Sequence, residues 1–482
     1  MSVTLHGITL SALAQAVGGT VNGTDCEIRS VSTDSRSLVS GDVYFCLRGE
    51  NFDGHVYAQA AASAGAAAVV CEQAVGVVDS GITELVVADT RRAYGALARL
   101  WRETLPVKVI GVTGSNGKTT VKQLLREICA AAGSVHCTRA NDNNDIGVPQ
   151  TLLGIDASHD YAVVEMGANQ LGEIEWLGCV ARPNVAIITN VSASHLEGFG
   201  SLGAVSREKS AIFTSLLEGG VAIVNRDDPF AEDWLALNKS RTTITFGGDK
   251  SADVYVESID GGSVRLHCRL PGREATADAR CHLAGNHNLM NMAAATAAAM
   301  ACNIELAVVA KGIGNAEPVK GRLNIHQLSD GITLIDDTYN ANPASTRAAI
   351  EVLANSAAER WLVLGDLKEL GADAARHHTE LGEFAQGKNI DHLFATGELC
   401  RNTVAAFGSN AEWFENKYQL LAALEQRLDG NAASNDKKLK GGTTVLVKGS
   451  RSMAMNELVD ALQSRHARVD ARADFSVAGG AA

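Results

Sequence analysis

The chain lacks the charge balance of a nucleic-acid binder. Its 482 residues carry a formal net charge of −13, whereas gripping a phosphate backbone takes a basic surface. It also lacks an apolar run long enough to span a bilayer. The run at Ile8–Val17 is broken by Ser11 and Gln15 and has no basic leader, so an amphipathic first helix is expected there rather than a signal peptide. Ten cysteines include no Cys-x-x-Cys pair, and several, such as Cys71 and Cys281, sit inside apolar runs. That pattern excludes a disulfide framework and a zinc site and fits reduced core thiols. A soluble, cytoplasmic protein is expected, with neither membrane nor nucleic acid among its partners. The composition, 46% hydrophobic and 20% charged, is that of a globular protein. Its length suggests roughly three domains.

What is there is most informative at residues 111–120, Gly-Val-Thr-Gly-Ser-Asn-Gly-Lys-Thr-Thr. An apolar run, Val107–Val112, leads into them and a helix-like stretch, Val121–Ala132, follows. Strand, glycine-rich turn and Lys-Thr opening a helix form a phosphate cradle: backbone N–H groups converge on anionic oxygens, and the helix N-terminus adds its positive end. Lys118 can reach terminal phosphates, and the Thr119 hydroxyl can ligate Mg²⁺. The general pattern wants glycine where Val112 stands, and finds it one residue earlier at Gly111. Gly111, Gly114 and Gly117 also space as a dinucleotide turn. That reading leaves Lys118-Thr119 without a purpose, so a nucleoside triphosphate is expected.

Along the chain, residues to about 100 mix strand-like runs (Asp42–Leu47, Ala67–Cys71, Glu84–Val87) with a helical Ala58–Ala66. Two polar islands, Ser32–Arg36 and Arg48–His55, lie beside the strands and on composition read equally well as turns. From about 107, apolar strand, loop and helix repeat: Val107–Val112, Tyr161–Glu165, Val185–Thr189, Val221–Asn225, Thr243–Phe246. Such alternation means a parallel sheet with both faces covered. A Gly/Ser-rich interval, about 247–275, reads as an antiparallel excursion, and an alanine-rich helix follows His287. After a break at Glu317–Arg322 the alternation resumes with Thr333–Asp336, Trp361–Leu364, His392–Ala395 and Thr444–Lys448. The expected fold class is α/β in three domains: an N-terminal α/β domain at 1–100, a central P-loop-type, mostly parallel-sheet domain at 101–317, and a Rossmann-like α/β domain at 318–465. A frayed tail is expected at 466–482.

Glu165 ends a buried strand, where a carboxylate beside a P-loop holds Mg²⁺; a loop-capping carboxylate is the plainer alternative. His195 follows the next strand and could ligate a metal or touch phosphate, although a lone histidine there is more often an ordinary one. Lys209, within Ser206-Arg207-Glu208-Lys209, by itself reads as a solvated helix face.

Taken together, Thr113–Thr120, Glu165–Asn169, Asn190–His195 and His287–Asn291 resemble the bacterial Mur ligases. Asp336–Pro343, Gly365–Gly371 and Lys448–Arg451 look like the branch that adds D-alanyl-D-alanine to UDP-N-acetylmuramoyl-tripeptide. The similarity runs in register from about residue 8 to about 460. It implies an ATP- and Mg²⁺-dependent amide ligase of cytoplasmic peptidoglycan precursor synthesis, working as a monomer. In that scheme ATP phosphorylates the tripeptide carboxylate and the dipeptide amine attacks the acyl phosphate.

The resemblance assigns Lys118, Glu165, His195 and Lys209 to catalysis. It gives Gly114, Ser115, Asn116, Gly117, Lys118, Thr119 and Thr120 to ATP, together with His287, Asn288 and Asn291 at adenine and Arg322 and Asp337 at phosphate and ribose. Thr119, Glu165, His195 and Lys209 would hold Mg²⁺, with Lys209 a candidate for carbamylation. Ser35 and Arg36 would meet the UDP-sugar, Asn141, Asn143 and Asn144 its peptide arm, and Tyr339, Asn340 and Arg451 the D-alanyl-D-alanine. A sister ligase adding a diamino acid would show an Asp-Asn-Pro-Arg-like signature, which is absent. A folylpolyglutamate synthetase-like enzyme would lack the N-terminal uridine domain, and a nucleotide-gated protein that ligates nothing would show a degenerate site.

Overall fold

A computed structural model describes residues 3–49, 51–193, 196–259, 262–433 and 442–466. The chain divides into two compact units, Met1–His282 with His287–Glu317, and Leu283–Asn286 with Pro318–Ala482.

The first unit holds two main sheets, besides the two-stranded pair Arg48–Gly49 and Phe52–Asp53. The smaller runs Thr20–Asn22, Thr83–Val86, Ala68–Cys71, Val43–Phe45, Val31–Ser32, parallel except for the first pair. Helix Thr90–Thr104 leads out of it; Asp89 caps its start by accepting from Arg92 N–H. Its buried Ala93, Leu97, Ala98 and Trp101 recur at helical spacing. Trp101 Nε1 donates to Ile155 O at 2.8 Å, and one continuous apolar core joins residues of both sheets. Helix Leu10–Val17 takes the place expected for the first amphipathic helix, capped by the Thr9 hydroxyl.

The larger sheet has nine strands. Edge to edge they are Arg273–Arg280, Ser263–Leu270, Val254–Ile259, Thr242–Gly247, Val221–Asn225, Val185–Ile188, Lys108–Thr113, Tyr161–Glu165 and Val135–Cys137. The last six are mutually parallel, and their apolar residues are covered on both faces. The antiparallel excursion comprises 254–280 rather than ending near 275. Its last strand, Arg-Glu-Ala-Thr-Ala-Asp-Ala-Arg, has an edge position and little apolar content, so no hydrophobic run marks it.

The second unit carries a six-stranded sheet: Asn324–Gln327, Ile332–Asp337, Thr443–Lys448, Glu359–Gly365, His392–Thr396, Ala411–Phe414. Only the first pair is antiparallel. The sequence-predicted strands lie inside these bounds, whereas the short edge strands at 324–327 and 411–414 carry no comparable apolar signal. The tail expected at 466–482 lies outside the described residues beyond His466.

Candidate active site

The loop expected to cradle phosphate stands where strand Lys108–Thr113 turns into helix Lys118–Ala132. Two glycines there are required sterically. Gly114 has φ +146°, and a Cβ on it would come within 1.8 Å of Thr189 Oγ1. Gly117 has φ +81°, and its Cβ would meet Asn291 Oδ1 at 2.3 Å. The loop is lashed to the segment after the neighbouring strand. Ser115 N–H donates to Asn190 O at 2.9 Å, Asn116 N–H to Asn190 Oδ1 at 3.0 Å, and Asn116 Nδ2 to Ser192 Oγ at 2.8 Å. Asp228 in turn accepts from Val191 N–H at 2.7 Å. These bonds hold the loop in one shape, as a phosphate-binding backbone needs. Lys118 Nζ reaches back over the loop, donating to Gly114 O at 2.8 Å and Ser115 O at 3.3 Å. Thr120 lies in the first turn of the helix.

Glu165, at the tip of the adjacent parallel strand, is 1% exposed. Its Oε1 accepts from Asn143 Nδ2 at 2.9 Å and from Thr119 Oγ1 at 3.3 Å. Lys122 Nζ stands 3.1 Å from Oε2, which nevertheless accepts no hydrogen bond of good geometry. Burial pushes this carboxyl up, but Lys122 and then Lys118, with the Asn143 hydrogen bond, outweigh it and hold it below the usual range. Glu165 is therefore a buried carboxylate held toward its charged form, and its bond from Asn143 also braces the loop at 141–144.

Lys209 contradicts the solvated-face reading: its side chain is buried on helix Leu202–Thr214, 2% exposed. Burial and then the neighbouring Lys118 charge bring its amine down to about 7, against the pull of Glu208. The Glu208 carboxylate is engaged elsewhere, accepting from Gly172 and Ile174 N–H at 2.7 Å each. His195 lies outside the described residues.

Asn288 and Asn291 are buried and bonded to each other, Nδ2 of Asn291 to Oδ1 of Asn288 at 2.8 Å, on the helix that His287 opens. With Gly117 packed on Asn291, the cradle and this amide pair form one surface. Loop residues 141–144 divide in use. Asn143 turns to Glu165, Asn144 Oδ1 accepts from Gly147 N–H at 2.9 Å to start the next helix, and Asn141 is exposed. Arg91 joins that loop to the Arg48–His55 island, with Nη1 2.7 Å from Asp145 Oδ2 and Nε donating to Arg48 O at 2.8 Å. Ser35 sits half-buried in the turn after Val31–Ser32; exposed Arg36 pairs with Asp34 at 2.6 Å. That guanidinium holds the Asp34 carboxyl down to about 2.

The second unit gathers its own group. Arg322 and Arg451 both approach the Tyr339 ring, at 4.1 and 5.4 Å from its centroid. Asp337 is ion-paired with buried Lys448 and accepts from Leu323 N–H at 3.2 Å. Lys448 also donates to Asn340 O at 3.0 Å, and Asn340 Oδ1 accepts from Arg451 N–H at 3.3 Å. Asp366, His378 and Cys400 lie close enough to one another to hold a metal ion. Their donor atoms are committed, however: His378 Nε2 accepts from Leu367 N–H at 3.1 Å and Asp366 Oδ1 from Cys400 N–H at 2.9 Å. Burial and Asp366 also keep the Cys400 thiol protonated, well above its usual range.

Sequence reasoning passed over Lys122 and Arg91. Lys122 had one available signal: it follows Lys118 by four residues, so both project from one helix face toward the neighbouring strand tip.

Three family models match the chain. They are "Mur ligase family, catalytic domain" at 27–102, "Mur ligase middle domain" at 112–299 and "Mur ligase, glutamate ligase domain" at 321–451. These place it in the class of Mur ligases. UDP-N-acetylmuramoyl-tripeptide--D-alanyl-D-alanine ligase of Escherichia coli (strain K12) is 38% identical over 457 residues, covering 95% of this chain and 98% of that protein. The crystal structure of MurF from Acinetobacter baumannii superposes with a TM-score of 0.86 at 34% identity, covering 96% of this chain and 100% of that one. MurF ligase from Thermotoga maritima, solved in complex with ADP, gives a TM-score of 0.77 at 25% identity, covering 90% and 97%. The chain belongs to the UDP-N-acetylmuramoyl-tripeptide--D-alanyl-D-alanine ligase family.

Proposed function

We propose that this chain joins D-alanyl-D-alanine to UDP-N-acetylmuramoyl-tripeptide, converting ATP to ADP and phosphate, in the cytoplasm and as a monomer. The observation that carries the reading is the buried Glu165, ion-paired with Lys122, beside a hydrogen-bonded glycine-rich loop whose Lys118 acts on both Glu165 and Lys209. Residues 1–100 would take the UDP-sugar, 101–317 the ATP and 318–465 the incoming dipeptide.

A carboxylate attacking a triphosphate brings two anions together, so the site must supply positive charge without water. Lys118 and the loop N–H groups do this at the phosphates. The tripeptide carboxylate oxygen bonds to the γ-phosphorus as the bond to the ADP oxygen breaks. The dipeptide amine then adds to the acyl carbon, loses a proton, and phosphate leaves with the bridging oxygen. Asn288 and Asn291 offer amide groups to a purine edge. Ser35 and Arg36 face the UDP-sugar, and Asn141, Asn143 and Asn144 border its peptide arm. In the second unit, Arg322 and Asp337 serve the nucleotide, and Tyr339, Asn340 and Arg451 the dipeptide.

The donor set suits Mg²⁺: a hydroxyl and a carboxylate whose Oε2 is buried without a hydrogen bond are hard oxygen donors. Thr119 and Glu165 would hold the ion, with His195 and Lys209 at a second position, and it would neutralise charge developing on the phosphates. Lys209, its amine brought down to about 7, is populated in the neutral form that adds carbon dioxide, so carbamylation fits it; intact-protein mass at Lys209 checks this.

The deciding experiment follows phosphate release from ATP and Mg²⁺ with the UDP-tripeptide, the dipeptide, both, or neither. Release only with both, together with the pentapeptide mass, is the expected result. Release independent of either would leave a bare ATPase and overturn the reading.

A further inference from the structure

Lys122 belongs neither to the phosphate loop nor to the donors proposed for the metal, yet it is the charge nearest Glu165. Its Nζ stands 3.1 Å from Glu165 Oε2, and it donates to Ala140 O at 2.6 Å. Both side chains are more than nine-tenths buried. Ala140 (φ +46°) begins the turn that carries Asn143, whose Nδ2 bonds the other carboxylate oxygen at 2.9 Å. One ammonium therefore ties together the nucleotide helix, the strand tip and the loop at 139–146.

This arrangement has two opposed electrostatic consequences. An ammonium in contact keeps a buried carboxylate aimed, which a cation-binding oxygen needs. The same ammonium competes for the lone pairs of Oε2 and repels any second cation that approaches them. The Ala140 carbonyl gives Lys122 a hydrogen-bond acceptor inside the fold, so its charge stays beside Glu165 instead of swinging to solvent. Burial makes both effects strong, because little water screens them.

We propose that Lys122 is a positioning residue that sets the affinity of the nucleotide site for its divalent cation, holding Glu165 in place while weakening the cation's grip on it. The inference rests on the proposed role of Glu165 toward a divalent cation, and the test separates the two. The probe is Mn²⁺ with ADP, titrated into the full chain and followed by the electron paramagnetic resonance of free Mn²⁺, with no turnover involved. A unit charge in contact shifts a neighbouring equilibrium by one unit of pK or more, so Lys122→Gln is expected to bind Mn²⁺ about tenfold more tightly than wild type. Lys122→Arg, which keeps the charge, is expected to stay within about twofold. Lys122→Met, which keeps the packing of the aliphatic stem, carries the same expectation as Lys122→Gln should that variant not fold. Unchanged or weaker Mn²⁺ binding in a folded, charge-free variant overturns the proposal. Glu165→Gln is expected to weaken Mn²⁺ binding; if it binds as wild type does, the metal role of Glu165 fails and takes this inference with it. Neither result depends on whether the chain ligates its proposed substrates.

Discussion

The central and C-terminal sheets both place charged side chains at the carboxyl ends of parallel strands, where open α/β sheets bind ligands, but they balance those charges differently. At the central sheet Lys122 is ion-paired with Glu165, and Lys118 acts electrostatically on both Glu165 and the buried Lys209. At the C-terminal sheet the charges close on each other. Lys448 ends one strand opposite Asp337, its register partner on the next, and the two are ion-paired. Lys368 pairs with Asp366 at 2.8 Å; burial raises that carboxyl, and Lys368 with backbone N–H bonds brings it below the usual range. A local excess of cation suits the polyanion proposed for the central site, whereas matched pairs brace loops. The braced loops here are those that present Tyr339, Asn340 and Arg451.

The sharpest way to break this contrast is to remove one lysine from each sheet. Lys448→Met leaves Asp337 buried without its counter-ion, so stability is expected to fall by about 3–5 kcal/mol in a urea unfolding curve. Lys118→Ala takes charge from a site already rich in it. Its thermal midpoint is expected to stay near wild type, while turnover drops roughly 10²–10³-fold, the value of one electrostatic donor. If Lys118→Ala proves the less stable protein and Lys448→Met the less active one, the contrast is reversed and the account fails.

A third expectation concerns pH. The folded-state value of Lys209, about 7, lies below the 10.5 it takes when unfolded. Between those values the unfolded chain binds the extra proton, so stability rises with pH across that window. Below about pH 7 both states are protonated and the cost of burying the charge is fully present. Urea midpoints in carbon-dioxide-free buffer should therefore climb from pH 7 toward pH 10, and Lys209→Met should flatten the climb. The smallest effect is expected at Arg36→Ala. An exposed arginine paired with an exposed aspartate contributes little to stability, so the melt should not change. The KM for the UDP-linked substrate should rise by several-fold, to roughly tenfold if the guanidinium meets a phosphate oxygen.

How much of this was legible before the structure depends on the kind of signal. Strands such as Tyr161–Glu165 and Val221–Asn225 sit inside a parallel sheet with both faces covered, and so read as unbroken apolar runs. Arg273–Arg280 lies at the sheet edge and alternates charged residues with alanine, leaving periodicity little to find. At the site, Gly114, Gly117, Lys118 and Thr119 were readable because their chemistry depends on local spacing. Lys122 and Arg91 were not, because their partners lie across the sequence: Glu165 is 43 positions on from Lys122, and Asp145 is 54 from Arg91. Lys209, taken by itself, looked solvated for the same reason. A lysine on a helix looks solvated until the strand that buries it is in place.

The most direct test of the central claim, that the cation-rich central sheet moves phosphoryl onto a carboxylate, is isotopic. Tripeptide substrate carrying ¹⁸O in its terminal carboxylate would be turned over with ATP, Mg²⁺ and D-alanyl-D-alanine, and the released phosphate weighed. Passage through an acyl phosphate predicts that one labelled oxygen appears in each phosphate formed alongside amide. Unlabelled phosphate released in step with amide formation would contradict it.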